Sequence, residues 1–403
     1  MNKKLMAVAV AGALAAPGLA MAQAGTNEAV IYGRFNLGID QWKATGATTN
    51  TATTGDYKSR IRVYDSGSRV GFRGTEDLGG GLRAVWVIET GVNVDSGTTN
   101  GQSGTANSSS GTWATRDSYG GLEGGWGRLT WGRQSIFWVS GVNAQSGANY
   151  IMQDVNSTGY LGRTGLGVAR ESNVMAYNSP TMGGFNFTLS YEPKSEGVQG
   201  GTNNAKTDAK VFGATARYFG VVNVQLDYAT NQSASGSGPG GSTPKNTGLK
   251  ASVGWPYAPG ANIALLYINI KNDNVAAATS GFTDGDKIKQ SAAIINWEHT
   301  FGQIHALAEY GRVGDASGCT ASTGVASCTD TGASAYLVAG RYLFSKRTAG
   351  YLAYLHYANK ANANWDFNGA GMSSGNGQPG AFLPVSSVGA DPQSIALGVI
   401  HNF

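Results

Sequence analysis

Apolar and polar residues alternate along this chain in runs of about ten residues, each followed by a break. In the run from Val30 to Ile39, Ile31, Phe35, Leu37 and Ile39 share one parity, and Tyr32, Arg34 and Asn36 share the other. Ser68–Arg73 sets Val70 and Phe72 against Arg69 and Arg73. Gly81–Glu89 sets Leu82, Ala84, Trp86 and Ile88 against Arg83 and Glu89. Strand side chains point alternately to opposite faces, so each run predicts a strand with one oily and one wet side. The same alternation occupies 394–403 and stops on Phe403. A last strand that must pair with the first to leave no open edge fits this ending.

The breaks alternate between short and long. Short ones fall near Thr75–Gly81, Glu123–Trp126, Ser179–Gly184, Gly220, Pro256–Gly260, Thr300–Gly302 and Phe344–Arg347. Long ones fall near 41–57, 94–112, 135–169, 193–208, 232–246, 272–286, 314–332 and 360–390. Seven turns and eight loops give about sixteen antiparallel strands, an even number with both ends on the short-turn side. The predicted fold is all-β, a closed transmembrane barrel with long extracellular loops. The stretch 171–178 alternates poorly and fits either register. Aromatics gather near strand ends, among them Trp42, Trp113, Trp126, Trp131, Trp255, Trp297, Phe301, Phe344 and Phe403, where amphipathic rings suit a membrane–water interface.

Composition agrees. Gly contributes 61 of 403 residues, 41% of the chain is hydrophobic and only 13% is charged. Lys3-Lys4, an apolar run and Ala20-Met21-Ala22 read as an export signal over residues 1–22, leaving a barrel domain over 23–403. Without those two lysines the net charge falls from +4 to +2, and no basic run points to nucleic acid. Cys319 and Cys328, in a loop of small residues, are expected to form a disulfide after export. No nucleophile elbow, zinc-protease motif or phosphate loop occurs, so no enzyme activity, cofactor or metal is expected. His299 and His305 flank a tight turn and form only a weak metal pair.

Several stretches carry a resemblance beyond composition. Ser68–Leu82, Leu129–Gln134, Asn178–Phe185, Leu343–Thr348 and His401–Phe403 are similar to blocks of Gram-negative general porins of the betaproteobacterial and neisserial type. The resemblance implies a homotrimer of sixteen-stranded barrels, each pore narrowed by a third loop folded inward, with Phe403 as the terminal assembly signal. That loop corresponds to 135–169. Arg69 and Arg116 match arginines that line the constriction in anion-preferring relatives, and Arg170 lies near a third. The alternation itself puts Arg34, Arg73 and Arg83 on the same wet side as Arg69. Asp154 is the loop's sole acid, and Tyr150 and Trp138 stand where relatives carry more charge. A positive wall in a narrow pore concentrates anions.

The expected function is a water-filled channel in the outer membrane of a Gram-negative bacterium. It passes small hydrophilic or anionic solutes and sits among outer-membrane lipid and lipopolysaccharide. Two alternatives remain: a substrate-specific pore using Tyr150 and Trp138, and a barrel whose exposed loops bind a partner as an adhesin or receptor.

Overall fold

The computed structural model describes residues 28–48, 55–92, 94–95, 113–137, 170–194, 208–234, 237, 241–275, 286–318, 328–363, 365 and 389–403. Its strands are β1 (Glu28–Thr45), β2 (Tyr57–Asp65), β3 (Arg69–Gly79), β4 (Leu82–Gly91), β5 (Ser118–Gly124), β6 (Gly127–Ser135), β7 (Arg170–Asn178), β8 (Phe185–Pro193) and β9 (Lys210–Phe219). They continue with β10 (Asn223–Gln232), β11 (Lys245–Ala258), β12 (Ala261–Val275), β13 (Asp286–Phe301), β14 (Ile304–Val313), β15 (Ala333–Leu343), β16 (Thr348–Asn359) and β17 (Asp391–Asn402). From β3 onward each strand pairs antiparallel with the next, β1 pairs antiparallel with both β2 and β3, and β17 returns to β1 over Arg34–Thr45, closing the sheet.

The barrel has sixteen crossings, because β2 and β3 are two halves of one. β1 pairs with β2 through Leu37–Ala44 and with β3 through Glu28–Arg34. The interruption has a local cause. Asp65 accepts a hydrogen bond from the Ser68 N–H at 2.9 Å, and the Ser68 hydroxyl accepts one from the Asn36 N–H at 2.9 Å. Side chains of this kind offer the backbone a turn in place of the ladder. The seven predicted short turns all join adjacent strands.

The two faces follow from register. Cross-strand partners share a face, so even-numbered β1 residues point inward with Arg69, Arg73, Glu89 and Arg83. Outward positions stay apolar and exposed, as at Ile31, Ile61, Leu352 and Leu397. Leaving one such side chain in water forgoes about 1.5–3 kcal/mol. Repeated around the wall, that cost requires a hydrocarbon surround, consistent with a membrane-embedded exterior.

Three sequence expectations are refined. β1 is longer than the 30–39 run. As a result Trp42 does not join the interface girdle: it is an even position, buried inside and stacked on Tyr57 at 5.4 Å. In β7 the ambiguous register resolves with Val174 and Ala176 inward and Met175 outward, after a left-handed kink at Asn173 (φ 58°). The inner wall is also not polar throughout. From β12 to β16 it carries Leu266, Ile268, Ile294, Leu307, Leu337 and Leu355, all buried. Trp365 packs against both apolar clusters of this interior.

The closing seam is built on glycine. Gly38 and Gly398 face each other across β1 and β17. A Cβ on either would collide with the Tyr64 or Tyr351 ring, and these two tyrosines meet hydroxyl to hydroxyl at 2.8 Å over the seam. Below them the Phe403 ring covers Gly33, whose N–H and C=O both bond the Phe403 backbone (3.0 and 3.1 Å).

Candidate functional site: the charged inner wall

Arg34 and Arg69 are direct cross-strand partners pointing into the barrel. Like charges placed so repel unless acids intervene. Glu89, opposite Gly71 on the same face, supplies one. It lies 3.8 Å from the Arg69 guanidinium, ion-pairs Arg116, and accepts a hydrogen bond from the Tyr32 hydroxyl at 3.0 Å. Arg73 lies over the Tyr32 ring, 5.3 Å from its centre. Arg34 and Arg116 are buried, and Arg69 is partly open to the lumen.

A second centre forms at Asp117. Arg170 donates to it at 2.9 Å, and so do the backbone N–H and hydroxyl of Ser135, each at 2.9 Å. Ser135 and Arg170 pair across β6 and β7 and are the two ends of the third loop. Asp117 therefore ties the neck of that loop. Burial alone would raise its pKa, but the Arg170 charge and these hydrogen bonds hold the carboxyl below its ordinary value.

Nearer the short turns, Arg83, Glu123 and Arg128 form one row across β4, β5 and β6. Glu123 bridges both arginines. The guanidiniums face the lumen more openly than the acid, with side-chain exposures of 51% and 42% against 17%. Arg69 and Glu89 repeat the pattern at 24% and 11%.

The third loop starts inward. Ile136 and Phe137 are buried against Val174, Ala176, Val211 and Ala229. Gly213 makes room, since a Cβ there would strike Ile136. Buried Lys250 donates to the Phe137 carbonyl, sits over its ring, and lies 3.7 Å from Asp227.

Of the residues singled out in the sequence, Arg34, Arg69, Arg73, Arg83, Arg116 and Arg170 all belong to this wall or its loop neck. Asp154, Tyr150 and Trp138 lie outside the described residues, as does Cys319; Cys328 is disulfide-bonded. His299 stacks outside on Phe301 at 4.1 Å, whereas His305 points inward beside Glu298. They make no metal pair, and no metal-binding group occurs among the described residues. Sequence reasoning missed Glu123, Arg128, Asp117 and Lys250 as parts of the site. For Glu123 and Arg128 the signal was present: counting parity through the tight turn puts both inward.

A closed barrel with an oily exterior, a charged inner arc and a loop beginning inside it defines a transmembrane barrel of the pore-forming class. The chain belongs to the Gram-negative porin family, whose model matches residues 7–362, and its location is the outer membrane. It is 30% identical over 286 residues to an outer membrane porin protein of Bordetella pertussis, covering 66% of this chain and 69% of that one. It is 29% identical over 225 residues to the major outer membrane protein P.IB of Neisseria gonorrhoeae, covering 55% of this chain and 57% of that one. The match thus spans a little over half of the Neisseria protein's length. In fold it is similar to the anion-selective porin of Comamonas acidovorans (TM-score 0.66, 19% identity, 94% and 100% of the two chains) and to OmpF of Salmonella typhi (TM-score 0.60, 17% identity, 94% and 98%).

Proposed function

We propose that this chain forms a water-filled outer-membrane channel for passive diffusion of small hydrophilic solutes and ions, with a mild preference for anions. The protomer would assemble as a homotrimer among outer-membrane lipids; the expected narrowing of the pore by the third loop falls on 138–169, outside the described residues, and only its start at Ile136 and Phe137 is seen inside the barrel. The observation that carries the preference is the unequal exposure of paired charges. Where Arg69, Arg83 and Arg128 meet Glu89 and Glu123, a solute encounters guanidinium before carboxylate. In a narrow pore that asymmetry raises the local anion concentration. The name of the Comamonas porin agrees with this reading without carrying it.

Planar-bilayer recordings in a KCl gradient test it. The reversal potential should lie on the chloride side, and Arg83→Glu should move it toward potassium. Conductance should appear in threefold steps. A strong potassium preference in the parent protein would remove the anion claim. Correctly folded protein that passes no current would remove the channel and favour a loop-based receptor.

A further inference from the structure

The lipid-facing side of β11–β14 is not uniform. Across it runs a row of outward partners, Ala251, Tyr267, Ala293 and Arg312. The next row toward the short turns is Val253, Leu265, Ile295 and Tyr310. The two alanines leave a depression between their larger neighbours, a groove of about 540 Å³ walled almost wholly by carbon. Arg312 forms its rim on the long-loop side.

Toward the long loops the same face turns basic. Lys271 and Lys289 are direct cross-strand partners, with Lys287 and Lys245 close by. Like charges directly opposite destabilise a sheet pair. Asp273 takes Lys271 at 3.0 Å, but no described carboxylate pairs with Lys289 or Arg312, and both are exposed. The Lys271–Lys289 row lies four residues above the Arg312 row, roughly 13 Å along the strands. Long loops mark the outer leaflet in barrels of this kind.

We infer that this face is a docking site for one phosphorylated, acylated lipid of the outer leaflet. An acyl chain fills the groove over Ala251 and Ala293, and the headgroup phosphates bridge Arg312 and Lys289. The anion relieves the repulsion built into the Lys271–Lys289 pair. The occupant follows from charge complementarity: a carbon-lined slot capped by bases matches an anionic lipid. A second copy of this chain would have to supply the missing acids itself. The inference rests on outer-membrane placement and is independent of the pore's selectivity.

Native mass spectrometry of the folded, full-length protein in detergent provides the test, with bisphosphorylated lipid A as probe and the same lipid after dephosphorylation as its counterpart. The double variant K289Q/R312Q should weaken lipid A binding about tenfold or more while leaving conductance unchanged, since each base near an anionic lipid surface contributes about fivefold. Ala293→Trp should weaken both lipids by filling the groove. Lys346→Gln, at a short turn on the opposite rim, should change neither. Equal binding by K289Q/R312Q and the parent, or equal binding of both lipids to the parent, would overturn the proposal. So would a change of oligomeric state in K289Q/R312Q, which would assign the face to a second copy.

Discussion

Lys250 shows how much one side chain can hold inside this barrel. Its ammonium is fully enclosed, facing Asp227 and the carbonyl of Phe137. A buried charge that loses its partner typically costs 3–5 kcal/mol. Lys250→Met is expected to destabilise the barrel by about 3 kcal/mol, reduced toward the low end because Thr215 and Gln225 still donate to Asp227. Denaturant unfolding from lipid vesicles measures this; a loss below about 1 kcal/mol would show that the pair contributes little. Gly213 is the complementary case. Gly213→Val should push Ile136 and Phe137 off the wall and make single-channel current noisier, whereas quiet current at the parent level would contradict that packing. Neither role was legible in the sequence. Lys250 alternates like any inward base, and only the fold brings residue 137 against residues 213 and 250. The arginines were legible because parity alone sets their face.

At the level of elements, the seam and the loop neck can be tested separately. Gly38→Val places branched carbon under the Tyr64 ring, and removal of Phe403 uncovers Gly33. Both should reduce the folded, heat-resistant fraction on a gel, with strand pairing at β1–β17 as the common cause; full assembly of both variants would show that the seam tolerates misfit. The neck depends on Asp117. Its folded pKa lies below the ordinary carboxylate value, so its stabilisation is present above that value and is lost as pH falls through the lowered one. Channel current should stay quiet from neutral pH down to about 4 and become unsteady below. Asp117→Asn should be unsteady already at pH 7, and a quiet mutant would show that Asp117 does not hold the loop. Strands and turns were readable here because period-two alternation and Gly-rich breaks are local signals. The split of one crossing at Asp65–Ser68 was not read, although Asp-Ser-Gly-Ser is a turn signal, because alternation continues on both sides of it. Trp42 was misplaced for the related reason that β1 runs past its apparent end.

The whole molecule is an inversion of a soluble domain, with hydrophobic residues outside and charge within. Only part of the interior keeps to that rule, since β12–β16 turn apolar side chains inward as well as outward. Their sequences alternate weakly as a result, and which inward face is wet could not be told from pattern alone. Which side of the wall meets water decides whether this is a membrane barrel. Single cysteines introduced at inward Arg83 and Arg128 and at outward Val338, Leu352 and Leu397 read this directly, with a membrane-impermeant maleimide applied to the protein in liposomes. The inward positions should label readily, and the outward ones should be protected until the liposomes are dissolved and the protein is unfolded in denaturant. Equal labelling of both sets would mean that the oily faces are not against lipid, and the barrel as described would be wrong.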